Sequence, residues 1–122
     1  MTTPGCYIKV TTQAEGLHHW PGAPDEENYL RHPHRHLFTF TVRMQVRHSD
    51  REIEINAFAR WLRDQVLPRL ATTGSGGGPA DFGARSCEQI TGQIRSRHGE
   101  DRWIECEVLE DGILGGGVRW PG

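Results

Sequence analysis

Histidines are concentrated in one part of this chain, and their spacing suits a metal ion. Five of the seven histidines lie between His18 and His36. His34 and His36 precede a run of β-branched and aromatic residues that predicts a strand, in which residues two apart project onto one face. With His18 upstream, three neutral imidazoles could hold a metal and leave a fourth position for water or substrate, as in catalytic zinc sites. The spacing alone would suit nickel or iron equally well.

The length and composition of the chain restrict the classes of protein to which it can belong. Its 122 residues suffice for one domain, 1–122, and not for a second core. A formal net charge of -2, with 35% hydrophobic and 25% charged residues, favours small-molecule or protein partners over nucleic acid or a membrane. Residues 1–30 contain no long apolar run, so we expect a cytoplasmic protein without a signal peptide or transmembrane segment.

The cysteines give no sign of a disulfide framework. Cys6, Cys87 and Cys106 are odd in number and form no CxxC pair, which also argues against a structural zinc knuckle. We therefore expect three ordinary thiols packed in or near the core.

Alternation of apolar and polar residues predicts several β-strands. The first covers residues 6–14 and continues, or bends at Gly16, as far as His19; the second covers 37–47, with the histidine pair at its beginning. Strands are also predicted over 103–109 and over 113–120, although the glycines at 115–117 weaken the last. Residues 52–55 are predicted to be a short extended piece that forms a hairpin with the strand before it.

Two segments have the spacing of amphipathic helices. Apolar residues recur at three and four between Ala57 and Leu70, and Asn56 is a candidate N-cap. Ser86 and Gln89 form a capping-box pattern for a second helix over about 86–97. The glycine-rich residues 71–84 between them predict a loop without a phosphate-binding motif. The resulting order, β-β-α-α-β-β, is that of an α+β domain.

This order and several short motifs resemble the family of 6-pyruvoyltetrahydropterin synthase and 6-carboxytetrahydropterin synthase, over most of the chain. A histidine and a nearby proline after the first strand are matched by His18 and Pro21. A His-x-His pair that opens the second strand is matched by His34 and His36. The other matching segments are Ile53-Glu54-Ile55 followed by Phe58, Ser86-Cys87-Glu88-Gln89-Ile90, and Val108-Leu109-Glu110.

The resemblance implies a fold, a cofactor and an assembly. The fold is the tunnelling fold (T-fold), an antiparallel four-stranded sheet with two helices on one face, whose subunits close into an oligomeric barrel with sites at their interfaces. Zn²⁺ would be held by His18, His34 and His36, which are the family's zinc ligands. Glu110 would grip a pterin or related purine-like ring through a bidentate, charge-assisted pairing. Ser86 and Glu88 are implied as further substrate-binding residues.

The chain also departs from the family at the catalytic residues. The family's cysteine, a few residues before the His-x-His pair, is replaced here by Tyr29 or Leu30, and the Asp-His pair after the first helix is absent. A family subgroup uses glutamate instead of cysteine, so Glu26, Glu27 and the titratable imidazole of His32 are the candidate bases. Solvated loop residues without a role are the alternative for all three. Asp25, Glu26 and Glu27 also predict a short helical turn.

Three hypotheses about function follow from these matches and departures. The first is a zinc-dependent lyase of the pterin synthase type, in a specific version a 6-carboxytetrahydropterin synthase-like enzyme of deazaguanine (queuosine) precursor synthesis. The second is a non-catalytic protein that keeps the metal and ring pocket and binds a pterin or guanine-type nucleotide. The third is a metal site that only holds a homo-oligomer together.

Overall fold

The computed structural model describes residues 5–18, 20–32, 34–71 and 84–122, and for His18, Ala71 and Ala84 it describes the backbone alone. In chain order the elements are strands β1 (Cys6–His18) and β2 (His34–Val46), helices α1 (Ile55–Trp61), α2 (Leu67–Ala71) and α3 (Ala84–His98), and strands β3 (Ile104–Glu110) and β4 (Leu114–Trp120). A 3₁₀-helix (Asp25–Arg31) lies between β1 and β2, and a π-helical segment (Leu62–Val66) joins α1 to α2.

The four strands form one antiparallel sheet in the order β1-β2-β3-β4. In β2 every second residue from Phe38 to Val46 is buried, because alternate side chains of a strand project to opposite faces. The buried face packs against the helices, and the other face carries polar cross-strand pairs such as Thr11 with Thr41. The predicted α+β class and the antiparallel four-stranded sheet are confirmed.

β2 begins earlier than its sequence pattern indicated, and β1 takes the continuous course of the two predicted for it. β1 runs without a break through Gly16 to His18, and β2 already begins at His34. In the β1–β2 register, position 18 lies directly opposite position 34, and Gly16 lies opposite His36. Residues opposite each other in an antiparallel pair share a face of the sheet. The ladder therefore brings positions 18, 34 and 36 to one end and one face of the sheet.

The predicted extended piece at residues 52–55 is wrong, because helix α1 begins within it. Residues 52–54 have no strand partner, and the Glu54 carboxylate accepts hydrogen bonds from the Ala57 backbone N–H at 2.5 Å and from the Asn56 side chain at 2.9 Å. Glu54, and not Asn56, is therefore the N-cap. An alternating Glu-Ile pattern resembles a strand, but the helix-capping hydrogen bond decides the local structure.

The helices pack on one face of the sheet, as predicted. Phe58, Leu62, Val66 and Leu70 are buried along the first helical run, and Cys87, Ile90 and Ile94 are buried along α3. Pro68, which has no backbone N–H, follows the wider π-helical segment, where the Leu67 N–H bonds back to Leu62. The predicted loop at 71–84 lies largely outside the described residues. None of the helices in the described part of the chain is long and apolar enough to cross a membrane.

A tight turn joins β3 to β4. Asp111 and Gly112 have φ of 53° and 73°, the left-handed conformation that Asp and Gly tolerate best in turns. β4 is paired over its whole length in spite of its glycines. A Cβ at Gly115 or Gly117 would collide with the backbone carbonyl of Val108 or Cys106, so the absence of side chains allows the close approach of the two strands.

Candidate metal and ligand site

The beginning of β2 presents two imidazoles side by side. His34, His36 and Phe38 alternate with Arg35 and Leu37 along the strand, so the two histidines lie on the face that carries the core further along. The centroids of the His34 and His36 rings are 4.7 Å apart in an edge arrangement, and the His36 ring is 5.9 Å from that of Phe38. The predicted pair at the start of the second strand is therefore present, with its two rings in contact.

Each of these rings has a partner at its Nδ1 atom. Nδ1 of His34 lies 2.9 Å from the backbone carbonyl oxygen of His32, which can only accept a hydrogen bond. Nδ1 of His36 lies 2.6 Å from Oδ2 of Asp111, at the turn between β3 and β4. On the other side of the same ring, Nε2 of His36 is 3.8 Å from Oε2 of Glu110. Two consecutive acidic residues thus approach the two different nitrogens of one imidazole.

Asp111 is fixed by the strand beside it. Its backbone N–H donates to the Leu37 carbonyl oxygen at 2.7 Å, and its Oδ1 accepts from the Leu37 N–H at 3.0 Å. The hydrogen bond with His36, and then the one from the Leu37 N–H, hold the pKa of Asp111 below its usual value. The sequence pattern did not point to this residue, which falls between the strands predicted over 103–109 and 113–120. The signal that would have found it is its position one residue after Glu110, once β3 is paired with β2.

Glu110, the predicted ring-binding residue, ends β3 opposite Phe38 of β2 and opposite Leu114 of β4. Because paired residues share a face, its carboxylate is on the same face as His36. Its side chain is 30% exposed. The structure thus brings Glu110 beside His36, whose ring contacts that of His34, although Glu110 and His36 are far apart in sequence.

The third predicted metal ligand is placed only by its backbone. Position 18 is opposite His34 in the ladder, but its side chain and the whole of His19 lie outside the described residues. Among the side chains that the structure describes, no group of three His, Cys, Asp or Glu residues is arranged to hold a metal ion. The site of three histidines therefore stays a prediction, with two of its members shown in contact.

The candidate bases lie in the connection between β1 and β2. The Trp20 N–H donates to the Leu30 carbonyl oxygen at 2.6 Å and closes this loop at its base. The Glu27 carboxylate accepts a hydrogen bond from Tyr29, which raises the pKa of that phenol, and Glu26 is exposed. His32 is exposed too and contributes its backbone carbonyl to His34. Of the three candidates, only His32 has a described contact with the histidine pair.

The two predicted binding residues on α3 differ in their surroundings. Ser86, in the first turn of the helix, is buried, whereas Glu88 is exposed. Residues two apart on a helix do not share a face. Their predicted joint role in binding a substrate stays a prediction.

The two described imidazoles at the histidine end are of the residue type that binds metals, and a carboxylate lies beside one of them. Imidazole nitrogens are ordinary ligands of zinc, and both rings bond through Nδ1 to acceptors, as metal-binding histidines commonly do. The donor set therefore fits the zinc that the family resemblance implies. No protein-family model matches this chain, and a search of curated proteins finds no match either.

Proposed function

We propose that this chain is a zinc-dependent enzyme similar to 6-pyruvoyl- and 6-carboxytetrahydropterin synthases, acting on a pterin or related purine-like compound. One observation carries the proposal: the contacting imidazoles of His34 and His36 lie at one end of the sheet, with the Glu110 carboxylate 3.8 Å from Nε2 of His36. His18 would complete the zinc site from the opposite strand. Zinc held there would act as a Lewis acid on a hydroxyl or carbonyl oxygen of the substrate.

Glu110 would bind the ring of the substrate. A carboxylate can accept two parallel N–H bonds from the amide and amino groups of a pterin or guanine-type ring. Its short distance from His36 would place the side chain of a bound pterin next to the metal ligands. Leu114, opposite Glu110 in the register, is 70% exposed and offers an apolar surface beside such a ring. Ser86 and Glu88 are proposed as additional contacts to the substrate.

The proton acceptor in this proposal is Glu26, Glu27 or His32, in place of the family's cysteine. Glu26 and Glu27 belong to the loop that the Trp20–Leu30 hydrogen bond closes, and His32 follows that loop just before β2. Glu27 would have to exchange its hydrogen bond with Tyr29 for one with the substrate. Replacing each by glutamine in turn identifies the base, because loss of the base lowers turnover by about 100-fold or more while leaving zinc bound.

The proposed assembly is the homo-oligomeric barrel of the tunnelling fold. β1 and β4 are the outer strands of the described sheet, and β1 is 13 residues long. Outer strands present backbone N–H and C=O groups that can pair with another chain. A ring of subunits joined in this way would place the histidine end close to a neighbouring subunit, as the family's interface sites require.

A second candidate function is a non-catalytic protein that binds a pterin or guanine-type nucleotide. The missing cysteine favours it, since Tyr29 and Leu30 occupy the matching positions. Turnover separates the two functions. The zinc-loaded protein should consume dihydroneopterin triphosphate if it is an enzyme, and should bind that compound unchanged if it is a binding protein.

The decisive experiment measures zinc and ligand in matched variants of the purified protein. His36→Gln should lose zinc, whereas Glu110→Gln should keep zinc and lose affinity for the pterin. His48→Gln, in the exposed turn after β2, is the control and should keep both. Substoichiometric zinc in the wild-type protein after loading would overturn the proposal. If His34→Ala instead dissociates the oligomer while its pterin affinity equals that of the wild type, the metal serves assembly alone.

A further inference from the structure

The carboxylate of Asp111 bridges the backbone of β2 and the ring of His36. Its Oδ1 accepts from the Leu37 N–H at 3.0 Å, while its Oδ2 lies 2.6 Å from Nδ1 of His36. The Asp111 N–H also donates to the Leu37 carbonyl oxygen at 2.7 Å. The aspartate is therefore held in place by the residue that follows His36, and one of its oxygens is aimed at the ring.

This contact determines which nitrogen of His36 carries the proton. An ionised carboxylate only accepts hydrogen bonds, so Nδ1 of a neutral His36 must be the protonated nitrogen. The lone pair of the ring is then on Nε2, the nitrogen that is 3.8 Å from the Glu110 carboxylate. A neutral imidazole binds a metal through its lone pair, and a carboxylate at the other nitrogen fixes the orientation of the ring and strengthens it as a ligand.

We propose that Asp111 is a positioning residue that holds His36 in the tautomer and orientation in which Nε2 faces a bound metal ion. Glu110 and Asp111 then have separate tasks on the same imidazole: Glu110 lies on the ligand side and Asp111 on the opposite side. His34 needs no such side chain, because the His32 backbone carbonyl occupies the equivalent place at its Nδ1. This inference rests on the proposed zinc function of the histidine end.

Asparagine at position 111 gives the sharpest test. The φ of 53° at this residue is one that asparagine and glycine both accommodate, so either variant should keep the turn. In Asp111→Asn the amide oxygen can still accept from the Leu37 N–H, which turns the amide NH₂ towards His36. An NH₂ group donates, so it favours the tautomer with the proton on Nε2, as occurs when the aspartate of a catalytic triad is replaced by asparagine. Asp111→Gly removes the acceptor without imposing the other tautomer.

Zinc affinity and the tautomer of His36 are the two measurements. Competition against a chromogenic chelator should show zinc bound roughly 10–100-fold more weakly by Asp111→Asn than by the wild type, with Asp111→Gly intermediate. In the metal-free protein, nitrogen NMR of the His36 ring should show the Nδ1–H tautomer in the wild type and the Nε2–H tautomer in Asp111→Asn. Asp101→Asn, which removes an equal charge from the pair with Arg47, is the control and should match the wild type in both measurements.

The outcomes separate this inference from the proposed function. If the wild type binds zinc and Asp111→Asn binds it within about twofold as tightly, Asp111 has no positioning role. An unchanged His36 tautomer in Asp111→Asn overturns the inference in the same way, without reference to any metal. If the wild-type tautomer is Nδ1–H and the wild type binds no zinc, the proposed function is wrong while the hydrogen bond to Asp111 is correct.

Discussion

The Arg102 guanidinium donates two hydrogen bonds of 2.8 Å to the Glu52 carboxylate, one to each oxygen. The two side chains are 7% and 15% exposed. Nη1 and Nε of Arg102 also donate to the backbone carbonyls of Gln45 and His98. This ion pair therefore ties the turn after β2 to the end of α3 and to the residues just before β3.

The Glu52–Arg102 pair should make the free energy of unfolding depend on pH in the acid range. The hydrogen bonds from Arg102, helped by the Arg47 N–H, lower the pKa of Glu52 from 4.5 to about 2. A carboxyl whose pKa is lowered by folding stabilises the folded state fully at pH values above its pKa in the unfolded chain. This stabilisation is lost as pH falls from about 4.5 towards 2. Urea unfolding at several pH values should show this loss in the wild type and a smaller one in Glu52→Gln.

Removing only the arginine should be costly at neutral pH. Arg102→Met leaves the Glu52 carboxylate largely buried and without its counter-ion, which we expect to destabilise the protein by about 3–5 kcal/mol. Arg51→Met is the matched control, because Arg51 is exposed and 4.0 Å from its acidic neighbour Asp50, and it should cost less than about 1 kcal/mol. Equal unfolding midpoints for the two variants would contradict the structural role of the pair.

His98 should add a second pH dependence nearer neutrality. Its ring packs against those of Phe58 and Trp61, and burial, then the charges of Arg97 and Arg102, hold its pKa below 6.5. The folded state therefore takes up a proton less readily than the unfolded chain, and stability falls as pH drops below about 6.5. His98→Leu should flatten the stability curve between neutral and mildly acid pH, whereas His48→Leu, outside this aromatic cluster, should leave its slope unchanged.

Replacing a glycine by alanine should have opposite effects on stability in β4 and in α3. Gly115→Ala would force a methyl group against the Val108 carbonyl, and we expect a loss of about 1–3 kcal/mol. Gly92, exposed in α3, has open space around it, so Gly92→Ala should stabilise the protein by about 0.5–1 kcal/mol. Thermal unfolding of the two variants tests this, and an unchanged or raised melting temperature in Gly115→Ala would show that β3 and β4 do not approach as closely as described.

The three cysteines should differ in reactivity. Cys87 and Cys106 are buried, and the hydrogen bond between them, together with burial, raises the pKa of Cys106. Cys6 is partly exposed near the start of β1. A thiol-specific reagent should therefore modify one thiol quickly in the native protein and all three after unfolding. Cys6→Ser should abolish the fast reaction. Fast modification of either remaining thiol in that variant would contradict the packing of α3 against β3.

Much of the fold follows from local patterns in the sequence. The alternation in β2 and the apolar stripe that includes Phe58, Leu62 and Val66 identify a strand and a helix because each pattern has the period of its element. The strand prediction for the segment around Glu54 is wrong because alternating glutamate and isoleucine satisfy the pattern of a strand as well. What decides its structure is a capping bond and the pairing of Glu52 with Arg102, 50 residues away, which no local pattern contains.

The candidate site was predictable only in part for a similar reason. His34, His36 and Glu110 could be selected by residue type and by family resemblance, and the strand register brings them to one end of the sheet. Asp111 could not, because its significance depends on the pairing of β3 with β2, which places it beside a histidine 75 residues earlier in the chain. Residue type and spacing suggest ligands, but the residues that orient them become visible only once the strands are paired.

The ladder that pairs β1 with β2 through positions 18 and 34 has a thermodynamic consequence for any ion bound there. The backbone at these positions is already ordered by strand pairing, so binding would cost little additional conformational entropy. Small zinc domains differ, because their folding and metal binding are a single event. A zinc ion bound at these positions would therefore add its own binding free energy to the stability of the protein, without being required for the strands to form. At this end of the sheet, strand pairing would prepare the proposed site before any metal binds.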